Sequence, residues 1–512
     1  MPSLKNENPP SGVDNVGALS TEQVVAVIGA GTMGAGIAQV AAQAGHSVLL
    51  YDAAPGSAEK AIAKVAEGLE RLVVRGKFSA EDVAATISRL KSVAGLEDLS
   101  PAGLVIEAII EDLAIKQELF TNLENICKVD TILASNTSSL SITTIGECLA
   151  RPENFVGLHF FNPAQVMKLV EVISGSGSAP GVADSVFATA EAWGKKPVHA
   201  ASTPGFIVNR VARPFYGEAL RVLEVEAVDV ATFDAIMRES GGFRMGPFEL
   251  MDLIGNDINL AVTTSVYNAF EQAPRFKPSP CQQELVASGK LGRKSGCGFY
   301  DYHEGAMPAQ ATTSAAIPPP DSVTTRGDLG VASVLTDLIE KAGISVQHEA
   351  ADSDHGYLEV GSAHLYLCDG GLAASHDENA IAFDLALDYE QATRIGLAPA
   401  ATCDPAALAS VIGLFQALGK SVSVIPDLAG MVVMRTVCML ANEGADAVDN
   451  RVCTEQAVDI AMCYGVNYPA GPLHWARAIG FGVVEGVLDN MAAVYDDPRY
   501  RCSSWIRNKV VK

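Results

Sequence analysis

The sequence predicts an α/β domain joined to an all-α domain, followed by a degenerate α/β domain and a second all-α domain. Three observations lead there. Short apolar runs alternate with helical stretches from residue 24 onward. Near Thr203 that alternation gives way to long amphipathic helical patterns. Residues of the second helical region then repeat those of the first at one fixed offset. A chain of 512 residues also exceeds what a single hydrophobic core can organise, so several domains are expected.

Taken in order, VVAVIG reads as a buried strand, GAGTMGAGIAQVAAQAG as a glycine turn entering a helix, and HSVLLYD as a second strand. A long helical stretch over 57–90 follows, then the strand LVIEAI, a helix around 115–126, and the strands TILASN and NFVGLHFF. Such alternation predicts a parallel sheet covered by helices. The helical region after Thr203 is interrupted by GGFRMGP and ends near KSGCGFYDY. Residues 304–325 are rich in Ala, Pro, Ser and Thr and carry PPP at 318–320, which favours an extended, solvated linker. Beyond it, ISVQHEA, HLYLCD, AIAFDLAL and SVSVIP alternate with helical stretches but bring no glycine fingerprint. The expected domains are therefore 22–202, 203–303, a linker at 304–325, 326–424 and 425–512.

The repeat is specific. Arg210, Glu218, Gly246 and Pro247 recur as Arg435, Glu443, Gly471 and Pro472, and Gly194–Lys195 recurs as Gly419–Lys420, always 225 positions on. A constant offset across several elements indicates internal duplication. Asn209 becomes Met434 in the second copy, which also lacks the glycine turn, so the chemistry is expected in the first.

Composition narrows the partners. A net charge of -24 disfavours nucleic acid and anionic membranes, which require a cationic surface. Ten cysteines without a CxxC pair or a Cys/His cluster point to neither a zinc site nor a disulfide framework, but to reduced thiols in the cytoplasm. The opening MPSLKNENPPSGVDNVG has no cationic segment leading into an apolar one, which argues against a secretory signal. Apolar runs such as 24–28 and 104–110 fall far short of the roughly 20 residues needed to span a bilayer.

Gly29-Ala30-Gly31-Thr32-Met33-Gly34 fits GxGxxG between a strand and a helix, the arrangement that brings backbone and a helix N-terminus against a pyrophosphate. Asp52 ends the second strand about 20 residues later, where a carboxylate accepts hydrogen bonds from ribose hydroxyls and repels a 2′-phosphate. Together they predict a Rossmann-type domain that binds NAD rather than NADP. His159 ends an apolar strand in GLHFFNP, and Glu171 lies in the apolar stretch MKLVEVI. A lone buried carboxylate is costly without a partner, and an imidazole is a natural one. Such a pair is either a satisfied core histidine beside a structural glutamate or a general base with its orienting carboxylate. Its place just after a dinucleotide domain favours the base. The hydroxyls of ASNTSSLSI can polarise a substrate carbonyl or cap the following helix, and composition alone does not separate these roles.

GAGTMGAGIA, VIEAIIED, ASNTSSL, GLHFFNP with KLVEVI, and TPGFIVNR with GPFEL strongly resemble the L-3-hydroxyacyl-CoA dehydrogenases over about 24–302. The duplicated second half resembles that family's long bacterial branch, which includes 3-hydroxybutyryl-CoA and 3-hydroxyadipyl-CoA dehydrogenases. The resemblance implies NAD-dependent, reversible oxidation of an (S)-3-hydroxyacyl-CoA thioester to its 3-oxo form, with no metal. It places the general base on His159, the orienting carboxylate on Glu171 and substrate contacts on Ser138 and Asn209. Further cofactor contacts fall on Glu111, Lys116, Ser138, Asn162 and Lys294, and the first helical domain is expected to close over the acyl chain. One departure stands out. Where short members place Ser and Lys on the helix that meets coenzyme A, this chain has Gly68 and Arg75, and Arg75 still offers a phosphate contact. Two other readings are a non-catalytic NAD-binding structural protein and a dehydrogenase of a free hydroxy acid. Either a homodimer or, in cis, a pseudo-dimer of the two helical copies is expected.

Overall fold

The computed structural model describes residues 17–350 and 356–511. It forms two compact units, one ending at Thr203 and the other beginning at Pro204.

The first unit is built on eight strands: β1 (Val24–Ile28), β2 (Val48–Tyr51), β3 (Leu90–Ser92), β4 (Ala102–Glu107), β5 (Ile132–Ser135), β6 (Phe155–Phe160), β7 (Leu169–Ser174) and β8 (Lys196–Ala201). Their order in the sheet is β3-β2-β1-β4-β5-β6-β7-β8. Val25, Val27, Leu104, Ile106, Val156 and Leu158 pack with Ile37, Ala38 and Ala41 of the first helix, Thr32–Gln43, into one core. Strands this apolar are suited to a sheet covered on both faces.

Two expectations need correction. The sheet is not wholly parallel, because β7 runs against β6, and β8 then runs with β7. The short return over 161–168 explains the reversal: a parallel neighbour would need a crossover of a dozen or more residues. The single helix expected over 57–90 is two helices, Ser57–Val74 and Ala80–Arg89. Gly76, with φ 68, takes the left-handed turn that ends the first, and Ser79 caps the second by accepting the Asp82 N–H.

The second unit begins with helices Arg213–Glu224, Val230–Glu239, Pro247–Ile254 and Asn256–Ala269. A seven-stranded mixed sheet follows: β9 (Ser322–Arg326), β10 (Ser345–Glu349), β11 (Tyr357–Val360), β12 (Ala363–Leu367), β13 (Ala380–Phe383), β14 (Arg394–Pro399) and β15 (Ser421–Val424). Strand β14 runs against β13 and β15 runs with β14, as β7 and β8 do in the first sheet. Even the anchor of the connecting loop recurs. Lys195 Nζ donates to the carbonyls of Ala164 and Met167, and Lys420 Nζ to those of Tyr389 and Ala392.

Residues 306–320 form no helix or strand and are mostly exposed, residues 322–325 already belong to β9, and the segment is held to its surroundings. The N–H groups of Thr312, Ser314 and Ile317 donate to Thr232 Oγ1, the Val422 carbonyl and Gln416 Oε1, each at 2.8 Å. Helix Val433–Asp449 packs on Arg213–Glu224. The two sequence halves therefore do not coincide with the two compact units, because the helical copies are packed together in one of them. Among the described residues no single helix is long and apolar enough to cross a membrane, and all ten cysteines are free thiols.

Candidate active site

The glycine turn uses each glycine for a different reason. Gly29 has φ +96, and a Cβ there would lie 2.5 Å from the Ala108 carbonyl oxygen. A Cβ on Gly34 would lie 1.8 Å from the Gly29 oxygen. Those two positions are closed by the protein itself. Gly31 is different: a Cβ there meets nothing within 4 Å, so its missing side chain leaves room for something other than protein. The helix that opens at Thr32 and Met33 has no side-chain cap at Gly31, so its first N–H groups are available to an anion.

Asp52 lies beneath this turn. Its carboxylate accepts the Ala30 N–H at 2.6 Å and the Ala54 N–H at 2.9 Å, joining the glycine turn to the end of β2. Beside it is a cavity of about 630 Å³ lined by Gly29, Gly31, Asp52, Leu96, Ile109 and Ile110. Apolar walls for a base, a carboxylate for a ribose and an uncapped helix end for a pyrophosphate fit NAD in this unit.

Antiparallel register sets the chemical pair. His159 of β6 stands directly opposite Glu171 of β7, and cross-strand neighbours of this kind lie on one face of a sheet. His159 Nδ1 and Glu171 Oε2 are 2.7 Å apart, with side chains 8% and 1% exposed. The Phe160 N–H donates to Asn136 Oδ1 at 2.8 Å, which ties the end of the histidine strand to the residue after β5.

The serine turn resolves by residue. Ser141 caps helix Ile142–Gly146 by accepting the Thr144 N–H. Ser138 does not share that task. Its N–H donates to Glu111 Oε1 at 2.9 Å, and Thr137 Oγ1 and the Ser139 N–H donate to the same oxygen. Burial opposes ionisation of Glu111, but Thr137, Lys116 and the backbone donors outweigh it and hold the carboxyl below its usual range.

Lys116, expected as a cofactor contact, is 1% exposed and pairs with Glu107 at 2.6 Å and Glu111 at 3.3 Å. It supports the serine turn from beneath. Glu107 also accepts from Ser135 Oγ at 2.6 Å, and the sequence reading passed it over. Its signal was visible in LVIEAI: one carboxylate in a strand apolar enough to be buried needs a cation and a donor beside it.

The remaining residues are distributed more widely. Asn162 is exposed on the turn after β6, and Arg75 is exposed at the end of helix Ser57–Val74. Gly68, on that helix, lines a cavity of about 510 Å³ together with Gly31, Thr32, Lys60 and Lys64. In the second unit, Asn209 is half-buried in the short helix Val208–Val211, and Lys294 pairs with Asp257 at 2.6 Å.

Comparison with known proteins bears on the same segments. The family profile described as 3-hydroxyacyl-CoA dehydrogenase, NAD binding domain matches residues 24–203. The profile for the C-terminal domain of that family matches twice, at 205–302 and 430–512. A 3-hydroxybutyryl-CoA dehydrogenase reduced Rossmann-fold domain matches 365–428 between them. The chain is 42% identical to the 3-hydroxyadipyl-CoA dehydrogenase of Escherichia coli K12, over 96% of this chain and 98% of that protein. It is 41% identical to a 3-hydroxybutyryl-CoA dehydrogenase of Clostridioides difficile, over 55% of this chain and 99% of the relative. A crystal structure titled 3-hydroxybutyryl-CoA dehydrogenase, from E. coli K12, superposes with a TM-score of 0.87 at 41% identity, covering 96% of this chain and 98% of that one. With profiles matched along both copies and a full-length relative at this identity, the chain belongs to the 3-hydroxyacyl-CoA dehydrogenase family.

Proposed function

We propose that His159 is the general base of an NAD-dependent oxidation of (S)-3-hydroxyacyl-CoA, and that the preferred acyl group is 3-hydroxyadipyl. The observation that supports the base is the buried His159–Glu171 pair at 2.7 Å. Glu171 engages Nδ1, so Nε2 is assigned the exchange of the 3-hydroxyl proton. The carboxylate holds the tautomer and stabilises the imidazolium that forms. In reduction of the 3-oxo group the protonated ring returns the proton. NAD, when bound, supplies the hydride acceptor.

Ser138 and Asn209 are each assigned a hydrogen bond to a substrate oxygen, as the family resemblance implies. Glu111 clamps the turn that carries Ser138. Lys60, Lys64 and Arg75, along one helix beside the glycine turn, are cations suited to the phosphates of coenzyme A. The second helical copy is proposed to act in cis as the partner of the first, supported by reciprocal ion pairs, Arg210 with Glu443 and Arg435 with Glu218. Ten free thiols support a cytoplasmic location.

The adipyl reading is supported by likeness along nearly the whole chain to a protein named for that substrate. A butyryl reading is favoured by the name of the solved structure with TM-score 0.87. NADH formation measured across a series of 3-hydroxyacyl-CoAs separates them. A kcat/KM at least about tenfold higher for the acyl group with a distal carboxylate is expected, a difference of about 1.4 kcal/mol. A preference for butyryl overturns the acyl assignment alone. Turnover of the free hydroxy acid, or none with any thioester, overturns the reaction.

A further inference from the structure

A cavity of about 140 Å³ in the second unit lies where three helices of the first copy, Arg213–Glu224, Asn256–Ala269 and Pro280–Ala287, meet the short helical turn Pro498–Tyr500 of the second copy. Five cations line it, Arg213, Arg221, Arg275, Lys277 and Arg499, against one carboxylate, Glu224. In a chain of net charge -24 this is a local reversal of sign, and such a concavity concentrates anions. Three of the cations are matched by carboxylates that do not line the cavity: Arg221 by Glu218, Arg275 by Glu443 and Asp446, and Arg499 by Asp497. Arg213 and Lys277 are left without a carboxylate partner among the described residues.

Of these two, Arg213 is the buried one. It is 8% exposed, its Nη1 donates to Thr263 Oγ1 at 3.0 Å, its guanidinium carbon lies 4.9 Å from the centroid of the Tyr216 ring, and its Nε has no hydrogen-bond partner. Burial works against its charge and holds its pKa below the ordinary value, opposed only by the Tyr216 and Tyr468 phenols. A buried cation without a carboxylate is costly. The helical fold does not demand one here. At the positions 225 further on, Arg213, Tyr216 and Thr263 become Cys438, Ala441 and Leu488, all buried. The two copies are still in register between those positions, at Gly255 with φ +104 and Gly480 with φ +100.

Helix Pro280–Ala287 opens at the same cavity, and no side chain caps it. The hydroxyl of Ser279, at the capping position, donates to Glu224 at 2.5 Å instead. The positive end of a helix therefore adds to the uncompensated side chains. We propose that this cavity is a binding site for a small oxyanion, a phosphate or a carboxylate group, held by Arg213, Lys277 and the opening turn of helix Pro280–Ala287. Its volume is well below the roughly 300–1,000 Å³ of pockets that enclose drug-sized molecules, which selects a compact anion and rules out a nucleotide. The anion supplies the counter-charge that Arg213 lacks and joins elements of both copies, so its binding stabilises the second unit.

The test is calorimetric titration of the full-length protein with inorganic phosphate and, separately, with adipate. NAD is held at saturation so that the glycine turn is occupied, and ionic strength is kept constant. At least one probe is expected to bind with a Kd below about 1 mM and to raise Tm as its concentration rises. The tighter of the two identifies the group as phosphate or carboxylate. Arg213→Gln and Lys277→Gln are each expected to weaken that binding at least about tenfold, and Lys277 is exposed, so its variant keeps the fold. Lys64→Gln, a cation beside the glycine turn in the first unit, is expected to leave the affinity within about twofold. No saturable binding of either probe, an affinity unchanged in Lys277→Gln, or a loss in Lys64→Gln as large as in Lys277→Gln overturns the proposal.

Discussion

The two copies close their sheets with the same strand arrangement, an antiparallel pair followed by a parallel strand, but place different side chains on it. In the first, His159 faces Glu171 across β6 and β7. At the positions 225 further on, Asp384 faces Gly396, with the Asp384 N–H donating to the Gly396 carbonyl. The Asp384 carboxylate accepts the N–H groups of Val432, Val433 and Met434 at 3.0, 2.8 and 3.0 Å, and so caps helix Val433–Asp449. A Cβ on Gly396 would sit 3.4 Å from Ile236 Cδ1, leaving little space for a glutamate. Burial pushes the Asp384 carboxyl up to about 6, although the backbone donors pull the other way. One strand pairing thus holds either a buried imidazole–carboxylate pair or a buried cap. At these two positions the side chains differ while the strands that carry them pair in the same antiparallel way.

The largest effect is expected from removing the imidazole. His159→Gln is expected to lower kcat by about 100-fold or more with NAD affinity unchanged, measured by NADH absorbance and by cofactor titration. Met434→Leu, its control in the second copy, is expected to stay within about twofold in kcat, and a large loss there would contradict a non-catalytic second copy. An intermediate effect is expected from Asp384→Ala. Stranding the first N–H groups of a buried helix should cost about 2–4 kcal/mol in urea unfolding, while the protein that remains folded keeps its kcat. Lost turnover at undiminished stability would mean that the second copy takes part in chemistry.

The smallest effect concerns the clamp on the Ser138 turn. Glu111 has its folded pKa depressed, so its contribution to stability is present above the ordinary carboxyl range and is lost as pH falls through the folded value. The stability difference between the parent and Glu111→Gln should therefore shrink as pH is lowered from about 6 to about 3. A difference that grows over that interval would remove the clamp from the account.

Local signals carried much of this structure. Gly29 and Gly34 were readable because a tight turn against a helix tolerates little else there, and Asp52 because a strand end fixes its distance from that turn. The break at Gly76 and Ser79 was also local, a left-handed glycine and a cap masked by amphipathic periodicity on both sides. Glu107 stood out as a charge in an apolar strand, yet which cation would meet it depended on how the helix Leu113–Ile126 packs.

Sequence alone was enough for the glycine turn, five strands of the first sheet (β1, β2, β4, β5 and β6), the duplication and the residue types available to each copy. Spacing and periodicity are properties of neighbouring residues, so these survive without any knowledge of the fold. Tertiary structure alone decided that β7 turns back to set Glu171 opposite His159, that Lys116 is buried beneath the serine turn, and that Arg210 of one copy is held by Glu443 of the other. Each of those depends on strand register or helix packing between distant segments, and a one-residue slip in register would send the same side chains to the opposite face.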